Sequence, residues 1–148
     1  CRETPDTVDA VFECPGYTMA YSMRHGSSFP YHGAMDHGIM FFGTKATLRI
    51  DRASFEIFPE GAREPSVAVK DQGQDQHHKP DFLAAVRSRR KPAADATAGH
   101  LAAIPGHLAN ISFRVGRKLV WDPKTETIAG DKEAAALLAR EYRAPYTL

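Results

Sequence analysis

Two cysteines and one tryptophan in 148 residues already remove several functional classes. Cys1 and Cys14 lack the spacing of a zinc site, and a chain of this length can bury a real core without a disulfide staple. Both are read as free thiols. Long apolar runs are missing too. No stretch approaches the ~20 apolar residues of a membrane span, and no signal-like apolar core stands at the N-terminus. A soluble protein of cytoplasm or periplasm is expected, and the sequence does not choose between them. Neither sign of charge dominates: 19 basic against 18 acidic residues leave a net charge of +1. That balance gives no electrostatic reason to expect nucleic acid or an anionic membrane as partner. G-x-G-x-x-G, the phosphate loop, G-x-S-x-G and H-E-x-x-H are all absent, which removes the usual nucleotide, acyl-transfer and zinc-protease signatures.

What is present is the composition of one ordinary domain, 43% apolar and 25% charged, so residues 1–148 are expected to form a single domain. Its first half alternates. Val8, Ala10, Phe12 and Cys14 fall on one side of Thr7–Cys14, and Tyr17, Met19, Tyr21 and Met23 on one side of Tyr17–Arg24. Such alternation describes strands with one buried face, and Pro15-Gly16 between them supplies a hairpin turn. After a loop rich in Gly, Ser and His (His25–Gly38), short strands are expected at Ile39–Phe42, Ala46–Asp51 and Ser54–Pro59, with an edge strand at Val67–Val69.

Helical spacing governs the second half. Phe82, Leu83 and Val86 mark one apolar face, on a helix that Pro80 opens and Pro92 stops. Asp95 suits the N-cap of a longer helix, where Leu101, Ile104, Leu108, Ile111 and Val115 form a stripe. Pro105 inside that stripe is expected to kink or break it. Lys118–Trp121 reads as a strand, Asp122-Pro123-Lys124-Thr125 as a β-turn, Thr125–Ala129 as a returning strand and Lys132–Arg140 as a last helix capped by Asp131. Strands first and helices later, without βαβ alternation, predict an α+β fold. Its form would be a largely antiparallel β-sheet with helices packed on one face. The other face, carrying Tyr17, Tyr21, Phe41 and Phe58, would then be a partner surface.

Seven histidines are spread along the chain. His25, His32 and His37 share the glycine-rich loop with Asp36. Three imidazoles and a carboxylate suit a metal or general-base site, a substrate-contacting loop, or simply a solvated loop. Their spacing matches no ligand pattern, so no metal site is assigned, and His32, Asp36 and His37 are taken as candidate substrate contacts. His100 and His107 lie on one helix face and are read as packing residues. Arg87, Arg89, Arg90 and Lys91 complement a helix C-terminus.

Several segments taken in order resemble the C-terminal domain of the Gfo/Idh/MocA oxidoreductase family. RETPDT at Arg2–Thr7 is similar to the lead-in of a sheet strand, and HGIMFFGTKATLRI at His37–Ile50 to a strand–turn–strand with an aromatic-Gly-Thr element. HKPDFLAAVRSRRKP at His78–Pro92 and GHLAAIPGHLANISFRVGRKLVWDP at Gly99–Pro123 resemble the two helices and the WDP turn. Gly130–Tyr146 is similar to the closing helix with its Tyr-Arg-x-Pro end. Asp81 departs from the usual Asn, Thr97 from an acidic residue, and Pro105 from an uninterrupted helix.

The resemblance implies a parent that binds NAD(P) and acts on a sugar or polyol hydroxyl. This domain would form one wall of the substrate cleft and a sheet for homo-oligomers. The family's Rossmann domain, its Glu-Lys-Pro segment with the catalytic Lys and its Asp/His-bearing helix have no counterpart here. No catalytic or cofactor-binding residue is therefore assigned, and the isolated chain is expected to be inactive. The chain opens at Cys1-Arg2-Glu3 without an initiator Met, which fits a processed or truncated product. The alternative expectation is a stand-alone carbohydrate- or protein-binding module without catalysis.

Overall fold

A computed structural model describes residues 5–27, 29, 37–70, 75–140 and 142–146. It has two compact units, Cys1–Gly26 with Ala96–Leu148, and Ser27–Asp95. Strands and helices follow the α+β class expected from the sequence, and every strand pairing is antiparallel.

In the first unit, β1 (Thr7–Cys14) and β2 (Tyr17–Arg24) form a hairpin around Gly16, whose φ of 85° suits glycine. The register sets Val8 opposite Met23, Ala10 opposite Tyr21, Phe12 opposite Met19 and Cys14 opposite Tyr17. Directly opposed residues share a face, so these eight side chains make one apolar surface, as the alternation predicts. Polar groups hold the reverse side. Ser22 and Arg24 bond the Asp9 carboxylate, and Lys118 pairs with Glu13. Cys14 is a free thiol; Cys1 lies outside the described residues.

The second unit holds one four-stranded ladder in the order β3 (Ile39–Phe42), β4 (Ala46–Ile50), β5 (Ser54–Pro59), β6 (Val67–Lys70). Its register gathers Ile39, Phe41, Leu48, Ile50, Phe55, Ile57, Val67 and Val69 on one face. On the other, Arg49 pairs with Glu56 and lies 5.4 Å over the Phe58 ring. Phe41 and Phe58 thus sit on opposite faces, not together as expected. Among the described residues the strands form three ladders: β1–β2, β3–β6 and a small C-terminal hairpin.

Helix α1 runs Asp75–Ser88, five residues earlier than Pro80 alone suggests. Pro80 is the sixth residue of the helix and leaves the Gln76 carbonyl without its i+4 donor, but Gln76 is exposed and that carbonyl can turn to water. The helix ends before Pro92, with Arg89 in the left-handed region (φ 59°). The Asp81 carboxylate then gathers the following loop, accepting from Arg90 and, at 2.8 Å, from the Ala93 amide. Lys91 pairs with Asp95. Arg90 and Lys91 of the basic run are therefore engaged with local carboxylates at a helix end.

Helix α2 spans Ala96–Val115 without a break at Pro105. Of the expected kink or break, the break does not occur. The Leu101 carbonyl, which loses its i+4 donor there, belongs to an exposed residue and can turn to water. Beyond it come the hairpin β7 (Trp121–Asp122) and β8 (Thr127–Ile128), shorter than expected, and helix α3 (Lys132–Ala136). The core of this unit joins Ile111, Ile128 and Ala134, with Leu108, Val115, Leu119 and Trp121 packed around them. Helix packing on the hairpin is seen here directly.

Candidate functional site

The first unit contains a cleft of about 540 Å³ along one side of α2. His100, Ala103, Ile104, His107, Leu108, Asn110, Ile111 and Arg114 recur at three- and four-residue spacing, so a single helix face supplies one wall. Trp121 and Glu126 from the β7–β8 hairpin and Leu137 and Leu138 after α3 supply the rest. Leu108, Ile111 and Trp121 both line the cleft and belong to the core around Ile128 and Ala134.

Local chemistry fixes each wall. Asp122 holds the hairpin turn, accepting from the Lys124 amide at 2.9 Å and the Thr125 hydroxyl at 2.7 Å, the Asp-first turn expected from the sequence. These bonds hold its carboxyl below the usual range, the Thr125 bond most strongly. Glu126 follows with φ 49°, left-handed backbone that costs a non-glycine residue energy. Its carboxylate meets His100, with Nε2 3.0 Å from each oxygen. Helix α3 is set by Asp131, whose carboxylate caps it through the Ala134 amide at 3.0 Å. Arg117 grips that carboxylate with two bonds of 2.8 Å and reaches Glu133 at 2.7 Å. The Arg117 fork, followed by the Ala134 amide, brings the Asp131 carboxyl down to about 2.

The half-buried Asn110 carboxamide, the exposed His107 imidazole and the Trp121 indole N–H line the cleft without a hydrogen bond to another described residue. Packing was the sequence reading of His100 and His107; instead both line the cleft. No local pattern signals it, because Glu126 is 26 residues from His100 and reaches it only through the turn.

Of the candidate substrate contacts, His32 and Asp36 lie outside the described residues. His37 is exposed just before β3 in the second unit. It adds to the fields that lower the Asp51 carboxyl, chiefly the bond from the Ala53 amide at 2.7 Å and that from the Ser54 hydroxyl at 2.8 Å. Among the described residues no three metal-binding side chains cluster.

A dinucleotide's phosphates need a left-handed glycine turn opening a helix. Among the described residues only Gly130, with φ 72°, stands in that relation to a helix, and the Asp131 carboxylate already occupies the helix N-terminus. A pyrophosphate there would meet like charge. These residues do not fit NAD(P).

Antiparallel ladders with helices, and a cleft built without such a turn, define an α+β domain distinct from the Rossmann type. Residues 60–148 match the family described as "Oxidoreductase family, C-terminal alpha/beta domain". The chain belongs to the Gfo/Idh/MocA oxidoreductase family. Comparison with curated proteins and with solved structures returns no match. Among the described residues no helix is long and apolar enough to cross a membrane.

Proposed function

We infer that this chain is the substrate-side and oligomerisation domain of an NAD(P)-dependent oxidoreductase acting on a hydroxyl of a sugar or polyol. The observation that carries the reading is the family match over residues 60–148. The poor fit of the chain's own residues to a dinucleotide agrees with it: cofactor and hydride chemistry would belong to another domain of the same protein. In this reading residues 1–148 act as one functional domain, and the chain alone turns nothing over. His32, Asp36 and His37 contact the substrate from the glycine-rich loop. The apolar faces of β1–β2 and β3–β6 serve self-association. Tyr17 and Phe41 are 64% and 56% exposed, too much apolar surface to leave in water.

The test uses the full-length oxidoreductase carrying this domain. Replacing His32 and His37 by alanine should raise KM for a sugar or polyol about tenfold, the loss of one or two good hydrogen bonds, with NAD(P)H affinity unchanged. An unchanged KM removes the loop from the substrate site. Micromolar calorimetric binding of NAD(P)H to the 148-residue chain alone would contradict the division of labour.

A further inference from the structure

The ladder of the second unit has a free edge on each side among the described residues, β3 and β6. Strand β6 ends in Lys70, a charge of the kind that blunts an edge. Strand β3 carries none. Its residues Ile39, Met40, Phe41 and Phe42 are apolar on both faces, a composition met in the interior of sheets rather than at an open edge. Phe41 and Phe42 are nevertheless 56% and 76% exposed.

Hydrogen bonding fixes which backbone groups this edge offers. The Gly43 amide donates to the Ala46 carbonyl at 3.0 Å, so those two residues form a bonded pair. Bonded and unbonded pairs alternate along an antiparallel ladder. In the register of β3 on β4, Phe41 with Leu48 and Ile39 with Ile50 are then bonded pairs as well. Met40 and Phe42 fall on the unbonded pairs, and their amides and carbonyls point away from β4. No described residue bonds these groups at the open edge.

We propose that β3 pairs antiparallel with β3 of a second copy, about a two-fold axis through Phe41, so that the two four-stranded ladders become one continuous sheet. One register engages every outward group of the strand. Met40 of each copy faces the partner's Phe42, and each such pair exchanges both backbone bonds. Phe41 faces the partner's Phe41 as an unbonded pair, where opposed side chains come closest, and makes an aromatic contact on the apolar face. Other registers on the same face set Met40 against Met40 or Phe42 against Phe42 and carry the remaining outward groups past the end of the strand. With no charge on β3, two copies oppose no like charges. This contact goes beyond the association through sheet faces proposed above, since it is made by backbone at an edge, and the two stand or fall separately.

Hydrogen exchange on the whole chain, at low and at high micromolar concentration, reads the edge directly. The Met40 and Phe42 amides should gain about tenfold protection or more at the higher concentration, while the Phe41 amide, bonded within the ladder, is protected at both. Met40→Pro removes an outward donor where an edge strand tolerates proline. It should remove most of the gain at Phe42 and leave Phe41 protected, which also shows that the ladder is intact. In a Cys1→Ser, Cys14→Ser background, Phe41→Cys should oxidise to a disulfide-linked dimer, because unbonded partners stand about 4.5 Å apart between Cα atoms, within disulfide reach. Adding Met40→Pro should slow that linkage about tenfold, the loss of a bond on each side of the axis. The proposal is overturned if Met40 and Phe42 exchange freely at both concentrations. It is overturned equally if their protection does not depend on concentration, which would mean that a segment of the same chain covers the edge. Protection and linkage that persist in Met40→Pro would also overturn it, by assigning the contact to sheet faces.

Discussion

Single side chains decide how the C-terminal part of the first unit is held. Asp131 caps α3 while both its oxygens accept from Arg117. Its carboxyl titrates near 2 in the folded chain against 3.8 for the free group. A depressed folded value contributes stability above the unfolded value, which is lost as pH falls from about 4 toward 2. The melting temperature should therefore drop across that window. Asp131→Asn should lower it at neutral pH and flatten the drop, because the group that titrates is gone. Thermal melts between pH 2 and 7 check this. A variant with the same acid slope as wild type would assign the effect to Asp51, Asp81 or Asp122, whose carboxyls are also lowered.

At the scale of elements, the first unit rests on α2 meeting the β7–β8 hairpin and α3. Ile111 is 6% exposed and touches the Ile128–Ala134 cluster, so Ile111→Ala should cost about 2–5 kcal/mol by chemical denaturation. A loss under 1 kcal/mol would mean this cluster is not the unit's core. Elements were legible in the sequence where one periodicity ruled. Apolar residues recur at every second position of Thr7–Cys14 and Tyr17–Arg24, with Val11 the exposed exception on the polar side, and the hairpin begins and ends where that recurrence does. Prolines misled the reading. Pro80 looks like a first helical residue, yet Asp75–Lys79 precede it in the helix; Pro105 looks like a break, yet α2 continues. Both outcomes depend on what surrounds the missing amide, which local sequence does not state. The cleft was illegible for a related reason. His100 and His107 share a helix face in any reading, but Glu126, itself left-handed, meets His100 from a hairpin 26 residues away.

For the molecule as a whole, membership of an oxidoreductase family accounts for the fold class, and the uncovered apolar faces ask for a partner. The hairpin face of Val8, Ala10, Phe12 and Cys14 with Tyr17, Met19, Tyr21 and Met23 is the most continuous such surface in the first unit. A two-fold contact burying more than about 1,000 Å² would cover it in a second copy. Sedimentation equilibrium tests the proposed assembly role most directly. The chain should sediment as a dimer or higher oligomer at high micromolar concentration, and Tyr21→Lys, which places a charge on that face without touching the core, should shift it toward monomer. A wild-type monomer at that concentration, or a Tyr21→Lys variant that associates as strongly as wild type, would contradict the account.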